Sequence, residues 1–224
     1  MAVAETLYPS RCAGCGQRGH WLCAECDAAL PQWTPPWCSR CGVPGGCDCA
    51  DVPPALDTLR AVAPFDGWLR RAIIAFKYHG EWARADHLGA ALAGVIDATS
   101  VVDGVGGVDA LVPVPLHPRR ERHRGYNQAD LLAQRAGTTL GLPVMTALRR
   151  VRDTPRQVGA DAATRHANVA AAFATVGDIR GGRFLLVDDV FTTGATIGAC
   201  ASALREAGAV GIGAVVLARQ MDDW

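Results

Sequence analysis

Residues Phe184 to Thr196 read FLLVDDVFTTGAT, an apolar run that meets two acids and then a turn rich in hydroxyls and glycine. The run Phe184 to Val187 suits a strand covered on both faces, as in a parallel sheet. Asp188 and Asp189 then fall at its carboxyl end, where open α/β sheets bind their ligands. In the turn, Thr192, Thr193 and Thr196 offer hydroxyls, and the backbone N–H groups around Ala195 begin a helix, an arrangement suited to a phosphate monoester. Gly194 lets the backbone come close to such a ligand. Two carboxylates beside a phosphate are unfavourable unless hydroxyls or a metal fill the gap. A cis-diol and a water-bridged Mg²⁺ would do so. A sugar 5-phosphate satisfies both halves, whereas Asp-Asp without the TTGAT turn would read as a helix-capping turn.

The chain has 224 residues, half of them hydrophobic, enough for one medium domain with a core and a small appendage. Its 22 basic and 22 acidic residues cancel, so no global field draws it to nucleic acid or anionic lipid, and any such binding needs a local patch. The start, MAVAETLYPSRC, lacks the basic and apolar regions of a secretory signal. No apolar stretch approaches the roughly 20 residues of a membrane span. The expected location is the cytoplasm, whose reducing conditions favour metal ligation over disulfides for the nine cysteines.

Eight of those cysteines fall in four close pairs: Cys12 with Cys15, Cys23 with Cys26, Cys38 with Cys41, and Cys47 with Cys49. A C-x-x-C knuckle presents two sulfurs to one tetrahedral Zn²⁺, and two knuckles close a site. Eight ligands make two structural Zn²⁺ sites. Sequential filling places Cys12, Cys15, Cys23 and Cys26 on one ion and Cys38, Cys41, Cys47 and Cys49 on the other, with short loops of low closure entropy; an interleaved cross-brace and an iron–sulfur cluster are the alternatives. Closed sites of this kind fold a segment too small for its own core. Trp21, Trp33 and Trp37 would pack around the knuckles or stack on bases, and Cys200 reads as a small buried apolar residue.

Asp48 to Pro54 is turn-rich and ends in two prolines, which puts a boundary between a cysteine module over 1–54 and a main domain over 55–224. Apolar residues at Leu69, Ala72, Ile73 and Phe76 predict a helix over 68–78, with a second over 82–97. Lys77 falls at the break, as a solvated helix end or a ligand contact. From Ala110 a short strand leads into a Pro-rich turn bearing Arg119, Arg120, Arg122, His123 and Arg124. Gly125, Tyr126 and the helix cap Asn127 follow, with Leu131, Leu132 and Ala136 as that helix's buried stripe. Pyrophosphate or open solvent would balance those charges. Residues 149–172 are polar and Arg-rich between apolar flanks, either a long active-site loop or a surface excursion. As a loop they would fold Arg149, Arg152, Arg156 and Arg165 over pyrophosphate. Phe173 to Val176 should return to the sheet, followed by a helix over 195–207 and a last strand over 210–218.

FLLVDDVFTTGAT resembles the 5-phosphoribosyl-1-pyrophosphate (PRPP) motif of type I phosphoribosyltransferases. Together with the knuckles, FKYHG, VPVPLHPRRERHRGYNQADLLA and RRVRDTPRQVGADAATRHANV, it makes the chain from about Cys12 to Arg219 similar to the ComF/GntX family of phosphoribosyltransferase-like proteins. The resemblance implies an α/β type I phosphoribosyltransferase fold, a mostly parallel sheet flanked by helices, preceded by a zinc-binding module. It implies that Asp188, Asp189, Thr192, Thr193, Gly194, Ala195 and Thr196 bind the phosphoribosyl group with Mg²⁺, the two acids serving catalysis. The segment Arg124 to Asn127 would face pyrophosphate. It also implies a role in natural transformation with single-stranded DNA as partner. No compact hood for a purine or pyrimidine acceptor is present, so the acceptor stays open.

Overall fold

The computed structural model describes residues 10–29, 33, 36–45, 47, 49–98, 104–152 and 172–221. Its centre is a four-stranded parallel sheet in the order β1 (Thr58–Pro64), β6 (Gly211–Arg219), β5 (Arg183–Phe191), β2 (Ala110–Pro113). Pro113 is level with Val187, Val216 with Asp188, and Pro64 with Arg219, so the carboxyl ends of all four strands lie along one edge.

Alternation along β5 explains how the sheet is covered. Phe184 and Leu186 enter one apolar cluster and Leu185 and Val187 the other, as a strand buried on both faces requires. On the second face lie α2 (Gly67–Tyr78), α3 (Ala85–Ala98) and α5 (Gln128–Leu140). The four apolar positions read from 68–78 are the four buried residues of α2. On the first face lies α6 (Ala195–Glu206), with Ile197, Cys200, Ala201 and Leu204 inward. Cys200 is fully buried there, as its reading as an apolar residue requires. Among the described residues no helix is long and apolar enough to cross a membrane.

Two expectations are corrected, and one strand lies outside them. Phe173 does not lead back into the main sheet: β4 (Phe173–Thr175) pairs antiparallel with β3 (Leu148–Arg150) in a separate two-stranded sheet, the local partner that the sequence reading placed in a loop. The basic turn after β2 is a short helix, α4 (Pro118–Arg124), with Pro118 in its first turn and a His117 cap accepting from the Arg119 N–H at 3.3 Å. β1 itself was not foreseen. Its Thr58 and Arg60 are polar and buried, which broke the apolar pattern.

The cysteine module, with the helix α1 (Ala24–Ala28), is docked on the sheet domain. Cys41, Val43 and Val52 share the apolar cluster of β1, β6 and α6. Arginines of the main domain reach its backbone. Arg71 donates to the Ala13 and Gly14 carbonyls, Arg84 to Trp21 and Arg11, Arg60 to Ser39, and Arg219 to Cys41.

Candidate functional site

The strand β5 extends past the predicted end at Val187, and this changes how its acids are disposed. Inside a strand successive side chains leave on opposite faces. Asp188 leaves toward the α6 face, where its charge acts on Cys200 and is felt by Arg150. Asp189 leaves toward α2, where its Oδ1 lies 2.7 Å from Lys77 Nζ. The vicinal acids therefore straddle the strand rather than forming one clamp. Burial, reinforced by the charge of Asp189, raises the Asp188 carboxyl to about 7, against the pull of Lys77 and of the Asp189 N–H, which donates to it at 2.8 Å.

Beyond the acids the TTGAT segment folds into an open cradle of backbone at the start of α6. Thr192 and Thr193 are exposed, Gly194 is buried at φ 71, and Ala195 and Thr196 open α6. Gly194 is required here. A Cβ would stand 2.8 Å from the Phe191 ring and 3.0 Å from the Asp51 carbonyl, in a backbone region that side chains avoid. No side chain caps α6, so the N–H groups of its first turn keep their capacity for an anion. Beside them a cleft of about 750 Å³ runs between α6 and the linker, lined by Asp51, Val52, Pro53, Thr193, Ala195 and Ser202 among others.

The basic residues fall on the other side of β5. Arg119 and Arg122 are exposed on α4, and Glu121 lies between them. Arg124 bonds to Gln128 and stacks over Tyr78 at 5.1 Å; Gly125, at φ 86, ends α4. Tyr126 donates its hydroxyl to the Phe76 carbonyl. Asn127 caps α5, accepting from the Ala129 N–H and donating to Val114, both at 3.1 Å. Arg165, Arg156 and most of the 149–172 segment lie outside the described residues. Among the described residues, Lys77 and Arg150 are the cations acting on the acids. Lys77 was legible only as one of two alternatives, and Arg150 lay within the Arg-rich segment 149–172 without being singled out.

The thiols gather into two groups, Cys12, Cys15, Cys23 with Cys26 and Cys38, Cys41, Cys47 with Cys49, each with its sulfurs within 4.8 Å of one another. This is the sequential pairing. Four sulfurs bound tetrahedrally at about 2.3 Å stand about 3.8 Å apart. The first group shows 3.6 and 3.8 Å, and the second is tighter at 3.4, 2.9 and 3.1 Å. Without a cation the thiols of a group do not all ionise together: Cys38 is lowered to about 6, first by the Cys41 N–H, whereas Cys26 is pushed up to about 12, first by the Cys23 thiol and then by burial. A Zn²⁺ ion fits both donor sets and leaves no open position. Trp21 packs under Arg84 of the sheet domain at 4.8 Å, which covers one face of its ring.

A parallel sheet with this cradle, joined to paired thiol clusters, defines a phosphoribosyltransferase-type domain carrying a double zinc ribbon. Residues 3–55 match the double zinc ribbon domain and residues 123–224 the phosphoribosyl transferase domain. The DNA utilization protein YhgH of Salmonella typhi is 31% identical over 214 residues, covering 90% of this chain and 92% of that protein. Competence protein F of Haemophilus influenzae is 30% identical over 216 residues, covering 90% and 93%. The chain belongs to the ComF family of phosphoribosyltransferase-like proteins. Competence protein ComFC of Bacillus subtilis is 35% identical over 98 residues, 44% of this chain and 39% of that protein. Among solved structures, glutamine PRPP amidotransferase from B. subtilis aligns with a TM-score of 0.40 at 23% identity, over 59% of this chain and 25% of its own. The purine phosphoribosyltransferase of Pyrococcus horikoshii aligns at 0.36 and 19%, over 62% and 74%. Both superpose too loosely to add to the sheet described above.

Proposed function

We propose that the sheet domain binds PRPP, or a closely related phosphorylated ribose, across the end of β5 and displaces its pyrophosphate. The uncapped amino terminus of α6 directly after the acids carries this reading, because it supplies N–H donors and open threonine hydroxyls for a 5-phosphate. The ribose hydroxyls would donate to Asp188 and Asp189, and the pyrophosphate would lie toward the turn Arg124 to Asn127. The bond from C1 to the pyrophosphate oxygen breaks, its electron pair leaves with the pyrophosphate, and an external nucleophile adds to C1. Positioning and charge stabilisation suffice for such a step, and no side-chain nucleophile is needed. Asp188 and Asp189 would hold Mg²⁺ through water, and the chemistry it supplies when bound is neutralisation of departing charge.

Calorimetry with Mg-PRPP tests the binding. The double change Asp188→Asn with Asp189→Asn should abolish it while the fold persists, and unchanged affinity would refute the assignment. Pyrophosphate release in the presence of bases and single-stranded oligonucleotides tests the transfer and identifies the acceptor.

A second reading makes the site a ligand sensor in a protein that handles single-stranded DNA in the cytoplasm. The relatives' names favour it, as do the exposed Arg119 and Arg122 on α4 and the exposed ring of Tyr78 beneath Arg124. Binding of this kind weakens steeply with salt, and no retention of single strands at low salt would eliminate it.

A further inference from the structure

Of the 22 basic side chains all but one are arginine, and the single lysine is the one at the acid pair. Lys77 is 20% exposed and its partner Asp189 9%, so the pair lies at the floor of the strand end and is still reachable from outside. Its position is fixed by more than that contact. Tyr126 donates to the carbonyl of Phe76, the rings of Phe76 and Tyr126 stand 5.7 Å apart, and Arg124 lies over Tyr78. The end of α2 is thereby fastened to the turn between α4 and α5, and Lys77 sits between that turn and β5. The first turn of α6 lies on the opposite face of the sheet. A ligand with one phosphate on α6 that crosses the end of β5 brings its other anionic end to Lys77.

We infer that Lys77 recognises the pyrophosphate group and selects a 1-pyrophosphorylated sugar over the same sugar without it. This rests on the proposed PRPP-type site. Two adjacent carboxylates would repel a ligand with phosphates at both ends. Lys77 offsets one of them before binding and exchanges Asp189 for the pyrophosphate on binding, which leaves Asp189 free to accept from a sugar hydroxyl. An ammonium is a compact charge on a flexible stem and can change partners within one site. A guanidinium fork commits to its carboxylate through two bonds. In a chain otherwise built with arginine, the lysine stands where a cation must move.

Calorimetry on the full chain with three probes, Mg-PRPP, Mg-pyrophosphate and ribose 5-phosphate, tests this in the wild type, Lys77→Gln, Lys77→Met and Lys77→Arg. Lys77→Gln should weaken PRPP and pyrophosphate by about tenfold to a hundredfold, the range of a charged hydrogen bond, and leave ribose 5-phosphate within about twofold. Lys77→Arg should recover part of the loss. Lys77→Met keeps the apolar stem, should show the same selective loss, and carries the test if Lys77→Gln does not fold. Equal weakening of all three probes by either neutral variant, or no weakening of any, overturns the assignment of Lys77. A wild type that binds neither PRPP nor pyrophosphate removes the proposed site itself, and this inference with it.

Discussion

Replacing Asp188 with Asn should stabilise the folded chain at neutral and alkaline pH. Burial raises the Asp188 carboxyl to about 7, and Asp189 reinforces the effect, whereas in an unfolded chain an Asp titrates near 3.9. The folded state therefore holds a proton that the unfolded state has released between those two values. Stability is fullest below about pH 4 and is lost as pH rises through about 7. Each pH unit in that window is worth about 1.4 kcal/mol, so the limit is about 4 kcal/mol, of which a coupled pair beside Lys77 realises a part, on the order of 2 to 4 kcal/mol. Asn has nearly the same shape and no charge to lose. Thermal melts of the two proteins, both zinc-loaded, should nearly coincide at pH 4.5. By pH 8 the variant should melt about 5 to 10 °C higher. Ligand affinity should move oppositely, rising in the wild type through pH 7 as the acceptor carboxylate forms. A melting difference that does not change between pH 4.5 and 8 would refute the reasoning, since it would show that Asp188 carries its charge in the folded chain without penalty.

Gly194→Ala should cost about 2 to 5 kcal/mol, about 1 to 2 from the left-handed backbone and the rest from the Phe191 ring and Asp51 carbonyl that its Cβ meets; a melting point within 2 °C of wild type would contradict the crowding at this turn. Metal analysis should return two zinc ions per chain, and chelation should lower the melting point of the sheet domain by about 10 °C, because Val43 and Val52 each lose about 1.5 to 3 kcal/mol of burial in the shared core. A sheet domain that melts unchanged without zinc would show that the ribbon is only an appendage.

Elements whose character is local were readable from sequence. The stripe of α2, the cap and stripe of α5, the strand-turn-helix around Asp188 and the four cysteine pairs each depend on neighbours within a few residues. What the sequence hid depends on distant partners. β1 is buried as an edge strand only because Arg60, which is 2% exposed, turns its guanidinium to Thr58, Leu59 and Ser39; read alone, Arg60 argued against a buried strand. The parting of Asp188 and Asp189 onto opposite faces follows from β5 continuing to Phe191. The sequence masked this continuation because two acids look like a strand's end. Lys77 could not be assigned until β1 and β5 were placed in one sheet, since that pairing through β6 brings the end of α2 to Asp189.

The linker read as a domain boundary is, in the fold, a wall of the cradle. Cys49 holds a positive φ of 55, a strained conformation for a residue other than glycine, so its thiol joins the second cluster while the chain turns into Asp51 to Pro53. There the Asp51 carbonyl closes on Gly194, and the Pro53 ring lies 3.0 Å from where a Gly198 Cβ would be. Arg219, 5% exposed at the end of β6, holds this arrangement together: one nitrogen donates to the Cys41 carbonyl at 2.9 Å, another meets Asp51 at 2.6 Å, and the guanidinium lies 5.4 Å over Phe191. A zinc ion with four thiolates leaves a net charge of about −2. Arg60 and Arg219 are thus favourable beside the second cluster, even though burial pushes Arg60 down from its usual range. The same arginine that lies beside the second cluster fixes the residue that closes on Gly194, so the ribbon shapes this turn from outside the sheet.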